Sequence, residues 1–226
     1  MKKKIIVAPL NWGLGHAARC VPIIHFLLEN NFIPIIASDG LALCFLQKEF
    51  PNFETLELPS YNVLYTKKLK LGLVLQSPKI LKAIRAEKKV IDDFIEVNKD
   101  VVGVISDNRF GVRNTKVKSV YITHQLNVLS DFTTFFTSYL HQKIIKKFDE
   151  CWIPDFENSE FSGKLSITKN SKIKKKFIGI LSRFQKEEIQ KENDVLIILS
   201  GIESQRKSLE KKLLVAFKNY SKKVVL

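Results

Sequence analysis

The sequence predicts an α/β protein: a parallel sheet flanked by helices, followed by the start of a second unit of the same kind. Three observations carry that expectation. Short apolar runs alternate with stretches of helical periodicity along the 226 residues. A turn rich in glycine joins the first run to the first helix. Several later runs end in polar clusters, as strands do where they leave a buried parallel sheet.

The elements follow in order. Ile5-Ile6-Val7-Ala8 reads as a buried strand, and Cys20–Leu28 as a helix. Between them lies Asn11-Trp12-Gly13-Leu14-Gly15-His16-Ala17-Ala18-Arg19. Its glycines let the backbone turn tightly and leave room for a ligand. The helix start offers unpaired N–H groups and a positive dipole end, a seat for an anion. A histidine there can handle protons. Ile33–Ala37 is a second strand, and Asp39 can cap a helix through Leu41, Phe45 and Leu46. Ser77-Pro78 predicts a cap and a first helical residue. That helix runs to about Asn98 with Ile80, Ile84, Ile91 and Ile95 on one face. Val101–Ile105 is a strand ending in Ser106-Asp107, and Ser119–Thr123 one ending in His124. A helix over 132–147 and a short strand at Cys151-Trp152-Ile153 come next. From Glu157 to Lys176 the composition is that of a loop, and Phe177–Ser182 reads as a crossing segment. Asp194–Gly201 then repeats the opening design: buried strand, small-residue turn, helix with Leu209, Leu213 and Phe217. The expected domains are 1–176 and 177–226, the second incomplete.

Composition narrows the function classes. There are 37 basic and 23 acidic residues, a net charge of +14, which draws polyanions, anionic lipid surfaces or nucleotide-type ligands. The three cysteines, Cys20, Cys44 and Cys151, show no metal-type spacing and read as reduced thiols of a cytoplasmic protein. No run approaches the ~18 apolar residues of a membrane span. No helix-turn-helix or RNA-binding signature is present, so nucleic acid is not an expected partner. The segment Tyr65–Leu75, where lysines alternate with leucines, fits peripheral contact with an anionic membrane.

Three polar clusters fall at the carboxyl ends of predicted strands, where open parallel sheets bind ligands. They are the Gly13–His16 turn, Ser106-Asp107-Asn108-Arg109, and Thr123-His124-Gln125-Leu126-Asn127. A fourth stretch, Ser200-Gly201-Ile202-Glu203-Ser204-Gln205-Arg206, suits a diphosphate. Gly13-x-Gly15-x-x-Ala18 also fits a dinucleotide fingerprint, with Asp39 as the ribose acid of an NAD(P)-dependent oxidoreductase. The four residues Pro9-Leu10-Asn11-Trp12 between strand and first glycine argue against that alternative.

In this order the segments resemble a GT-B glycosyltransferase and look most like relatives of the peptidoglycan lipid-intermediate N-acetylglucosaminyltransferase. The resemblance rests on Gly13-Leu14-Gly15-His16 with Pro22, on Thr123-His124-Gln125-Leu126-Asn127, and on Cys151–Asp155, Gly179–Arg183 and Leu199-Ser200-Gly201. Gln125 departs from the family's Glu. The resemblance implies two facing Rossmann-like domains and transfer of a hexosyl unit, N-acetylglucosamine in that family, from a UDP-sugar to an acceptor hydroxyl. No cofactor or metal is expected. It implies catalytic roles for His16, Asp107 and His124, with His16 as base or acceptor-phosphate contact. Gly13, Gly15, Arg19, Asn108, Arg109, Gln125 and Asn127 are expected to bind a carbohydrate or lipid-linked acceptor. Ser200, Gly201, Glu203, Gln205 and Arg206 are expected to face the donor. Most of the family's donor domain has no counterpart here. A truncated enzyme, a half that works with a separate donor-domain subunit, and a non-catalytic acceptor-binding remnant are all consistent with that.

Overall fold

The computed structural model describes residues 2–61, 69–128, 134–158, 160–167, 172–199 and 203–226. It divides into two compact units, Met1–Arg183 and Phe184–Leu226. Lys175–Phe177 is a strand of the first unit's sheet.

The first unit contains β1 (Lys4–Pro9), α1 (Leu14–Glu29), β2 (Ile33–Ser38), α2 (Gly40–Glu49), β3 (Thr55–Glu57), α3 (Leu69–Val97), β4 (Val101–Asp107), β5 (Lys118–Ile122), α4 (Thr134–Ile145), β6 (Glu150–Ile153) and β7 (Lys175–Phe177). Its seven strands lie in the order β3-β2-β1-β4-β5-β6-β7, and every pair is parallel. The fold class is therefore as expected, a Rossmann-like sheet between helices. Strand order reverses between β1 and β4, and the crevice at such a point is where these sheets bind ligands.

Side-chain alternation sends each strand's residues to two cores. Val7, Ile36, Ile105 and Ile122 pack with Ala17, Cys20, Ile24 and Leu27 of α1 and Leu43 and Leu46 of α2. On the opposite face Ile6, Ile35 and Val104 meet Ile91 and Ile95 of α3. Tyr121 and Ile153 meet Ile145 of α4 and Phe148 after it. Both faces of the strands are covered, which is why they read as unbroken apolar runs.

Two elements differ from expectation. α3 begins at Leu69 and carries Pro78 inside it, where Ser77-Pro78 was expected to open the helix. A proline forfeits its own N–H bond, while the long flanking turns keep propagating cooperatively. Tyr65–Lys68 of the basic segment lie outside the described residues. In the second unit, β8 (Val195–Leu196) pairs in parallel with β9 (Val224–Val225), joined through α5 (Glu203–Ala216). The strand expected to be buried is not: Leu196 is 61% and Ile198 83% exposed. Two short strands and one helix cannot cover both faces of a sheet. Among the described residues no helix is long and apolar enough to cross a membrane.

Candidate functional site

The β1–α1 loop is pinned before it reaches the glycines. The Leu10 amide donates to the Asp107 carbonyl at 2.9 Å, and Ser38 Oγ donates to the Pro9 carbonyl at 2.8 Å. Asn11 accepts from the Ala42 amide at 3.2 Å and donates to Asp39 at 3.1 Å. Asn11, not Asp39, thus satisfies the start of α2; Asp39 makes no side-chain cap. Gly40 allows this approach. Its φ is +50°, and a Cβ there would lie 2.4 Å from Asn11 Nδ2.

Gly13 ends the loop with φ 85° and ψ 163°, a conformation essentially confined to glycine. α1 starts at Leu14, which places His16 in its first turn. A Cβ added to Gly13 or Gly15 would meet nothing within 4 Å. Space is open above the helix start.

His16, Arg19 and Asp107 converge there. His16 Nδ1 lies 2.9 Å from Asp107 Oδ1 and 2.9 Å from Arg19 Nη2. One turn along α1, Arg19 donates through Nε and Nη2 to both Asp107 oxygens. Its Nη1 lies 3.5 Å from His124 Nδ1. The four residues His16, Arg19, Asp107 and His124 come from α1, the end of β4 and the segment after β5, and the sheet edge brings them together. Asp107 is fully buried. Burial alone would raise its pKa, but hydrogen bonds from Arg19 and His16 outweigh it and hold the carboxyl below its usual range. Burial and the Arg19 cation pull His124 below the usual imidazole range.

A second tier holds Asp107 from behind. Asn108, at φ +60°, donates to Asp107 Oδ1 at 3.3 Å and accepts from the Tyr121 hydroxyl at 3.1 Å. The Tyr121 hydroxyl lies 3.3 Å from His141 Nε2. Burial pushes His141 down to about 4. The Cys20 thiol approaches Asp107 Oδ2 at 3.9 Å.

Other expected site residues lie elsewhere. Arg109 does not face a cleft: it is 0% exposed. It donates to Glu87, to Asp39 at 2.6 Å and to the Pro59 carbonyl at 2.8 Å, and lies over the Tyr61 ring at 5.6 Å. The same contact engages Asp39, the residue a dinucleotide site would need for its ribose. Asn127 donates to the Lys164 and Ile167 carbonyls at 2.9 and 2.5 Å, tying its loop to the 163–167 turn. Gln125 is half-buried, its amide donating to Thr123 Oγ1 at 3.0 Å. Ser200 and Gly201 lie outside the described residues. Glu203, Gln205 and Arg206 fall in the first turns of α5, where Arg206 is exposed.

Sequence reasoning gave no role to Glu87, or to Asn11 and Asp155 within the stretches it quoted. Glu87 sits on the Ile84–Ile91 stripe, a carboxylate among core positions, and that misplacement was the available signal. It is fully buried and accepts from Arg109, the Tyr61 hydroxyl at 2.9 Å and the Gly111 amide at 2.7 Å. Asp155 accepts from the Phe156 and Ser162 amides at 2.7 and 2.8 Å and anchors the loop after β6. An open groove of about 690 Å³ adjoins the pinned loop, lined by Asn11, Asp39, Gly40, Glu57, Leu58, Pro59, Ser60 and Val90. Among the described residues, no group of His, Cys, Asp and Glu is placed to hold a metal ion.

No protein-family model and no curated protein matches the sequence. Solved structures match in fold, GT-B glycosyltransferases among them. A UDP-glucosyltransferase from Polygonum tinctorium that glucosylates indoxyl, solved with 3,4-dichloroaniline, aligns with TM-score 0.60 and 12% identity over 99% of this chain and 65% of its own. Arabidopsis thaliana UGT89C1 complexed with quercetin gives 0.58 and 14%, over 99% and 65%. MurG of Acinetobacter baumannii gives 0.52 and 11%, over 98% and 57%. The chain therefore resembles these enzymes in fold and spans between 57% and 65% of their length.

Proposed function

We propose that this chain is the acceptor side of a transferase that moves a hexosyl unit from a UDP-sugar to a hydroxyl. The observation that carries the reading is the His16–Asp107 pair at the start of α1, beneath open space, at the strand-order reversal. With its Nδ1–H donated to Asp107, the ring presents a bare Nε2. That nitrogen takes the proton of the acceptor hydroxyl as the oxygen attacks the anomeric carbon and the UDP oxygen departs. Asp107 fixes the tautomer and stabilises the imidazolium that forms. Its own charge is secured by Arg19. The groove beside Asn11 is a seat for the acceptor, its hydroxyl-binding groups being Glu57, Ser60 and Asn11. For the donor diphosphate, the Ser200–Arg206 stretch is the candidate contact. The oxidoreductase alternative loses its ribose ligand, since Asp39 is held by Arg109.

The test is UDP release from UDP-glucose and UDP-N-acetylglucosamine by the full chain supplied with a donor half and an acceptor panel. Turnover is expected, and His16→Ala is expected to lower it by about 10²–10⁴-fold. A folded complex that binds acceptor and donor yet never releases UDP would leave the acceptor-binding remnant as the better reading.

A further inference from the structure

The hydrogen bonds behind Asp107 run in one direction, and the charge on Asp107 sets it. An ionised carboxylate only accepts. Asn108 must therefore turn its Nδ2–H group to Asp107 Oδ1, at 3.3 Å, which leaves its own carbonyl oxygen for Tyr121. The Tyr121 hydroxyl donates its single proton there, at 3.1 Å. Its oxygen is then free only to accept, so His141 Nε2, 3.3 Å away, carries the ring proton. His141 Nδ1 is left bare, in keeping with its lack of a hydrogen-bond partner among the described residues. Burial keeps the His141 ring neutral, with a pKa of about 4, and keeps the Tyr121 hydroxyl protonated. The other His141 tautomer, with Nδ1–H turned toward the Gln125 backbone, a lesser influence on the ring than burial, would draw the Tyr121 proton to Nε2. The Asn108 carbonyl would then lose its donor.

The surroundings favour the complete chain. Tyr121 is fully buried, with Phe110 at 6.1 Å and Phe148 at 4.9 Å, and His141 stands edge-on to Phe110 at 5.7 Å. Among such rings an unpaired polar atom is costly. Asn108 has φ +60°, a backbone that asparagine tolerates better than most residues, so one residue both turns the chain and bridges Asp107 to Tyr121. We infer that Asn108, Tyr121 and His141 are positioning residues, a directed relay that holds Asp107 Oδ1 and through it the His16 ring. Both ends of the Asn108 amide are engaged in this role, and Asn108 acts through Asp107. The relay's bearing on turnover rests on the sugar-transfer reading; its direction does not.

Long-range proton–nitrogen NMR of the full chain, with the His141 ring assigned through His141→Leu, reads that direction. A neutral ring protonated on Nε2 is expected. Asn108→Gly keeps the corner, because glycine adopts positive φ, but removes the amide. Tyr121 is then expected to turn its hydroxyl to His141 Nε2, and the ring proton to move to Nδ1. Asn108→Asp keeps an acceptor for Tyr121, so the proton is expected to stay on Nε2. It also sets a second carboxylate against Asp107 in place of a donor. With the donor half and acceptor panel supplied, Asn108→Gly, Asn108→Asp and Tyr121→Phe are each expected to lower kcat about 10-fold or more and to leave KM unchanged. Circular dichroism checks that each variant is folded. A wild-type ring protonated on Nδ1 overturns the relay. So does a His141 proton that stays on Nε2 in Asn108→Gly, or a kcat that none of the three variants lowers. The predicted His141 tautomers in a wild-type chain that never releases UDP would support the relay's direction and count against sugar transfer alone.

Discussion

At the residue scale the two glycines before His16 differ, although the sequence presents them alike. Gly13 has a backbone that side chains rarely adopt, whereas Gly15 has ordinary helical geometry and open space where a Cβ would go. Gly13→Ala is expected to cost about 1–3 kcal/mol. Gly15→Ala is expected to be neutral or to stabilise by about 0.5–1 kcal/mol, since glycine is a poor helix residue. Urea unfolding of the two variants checks this. If Gly15 is glycine for the sake of a ligand, its alanine variant is stable and poor at turnover. Equal destabilisation by both would contradict that division of roles.

At the element scale, the long apolar strands were legible and the ionic core was not. β1, β2, β4 and β5 are buried on both faces, so their runs stand out against their polar ends. β3 and β7 are three residues each with mostly exposed side chains, and nothing in so short a stretch separates strand from loop. Asp107 and His124 were singled out because strand ends at this edge are where such sheets bind ligands. Arg109, two residues beyond Asp107, looked like part of the same cluster. Its direction was set by Glu87, twenty-two residues earlier on α3, and no local pattern encodes that pairing. Arg109, just after β4, joins the start of α2, α3 and the loop after β3, so its removal acts on several elements together. Arg109→Met is expected to destabilise the first unit by about 3–5 kcal/mol, because Glu87 and Asp39 would keep buried charge without a partner. A change below about 1 kcal/mol in urea unfolding would show that the network contributes little.

At the scale of the whole molecule, buried titratable groups give stability a pH dependence with a defined sign. His141 is held down to about 4 by burial, while the unfolded ring titrates near about 6.5. Between those values the unfolded chain binds more protons, so stability rises with pH there and falls as pH drops. The contribution is up to about 3 kcal/mol across the window, at about 1.4 kcal/mol per pH unit. His124 acts in the same direction. Asp107 has a depressed pKa, so its contribution is kept until pH falls through the carboxylate range. Urea midpoints between pH 7 and 4 are expected to decline, and more shallowly in His141→Leu. A wild-type midpoint that stays level would contradict this account. The echo of the opening design near Asp194 suggested a second buried strand. The exposure of that strand was not legible, because an apolar run does not state whether anything covers it.

The central claim is that Asp107 orients His16 to present a bare Nε2 at the start of α1. Long-range proton–nitrogen NMR of the full chain, with the His16 ring assigned through His16→Gln, measures this directly. The account predicts a proton on Nδ1 of the neutral His16 ring, lost from that position in Asp107→Asn. A neutral ring protonated on Nε2 in the wild-type chain would contradict it, because Arg19 would then be the partner of Nδ1 and no base would face the open space.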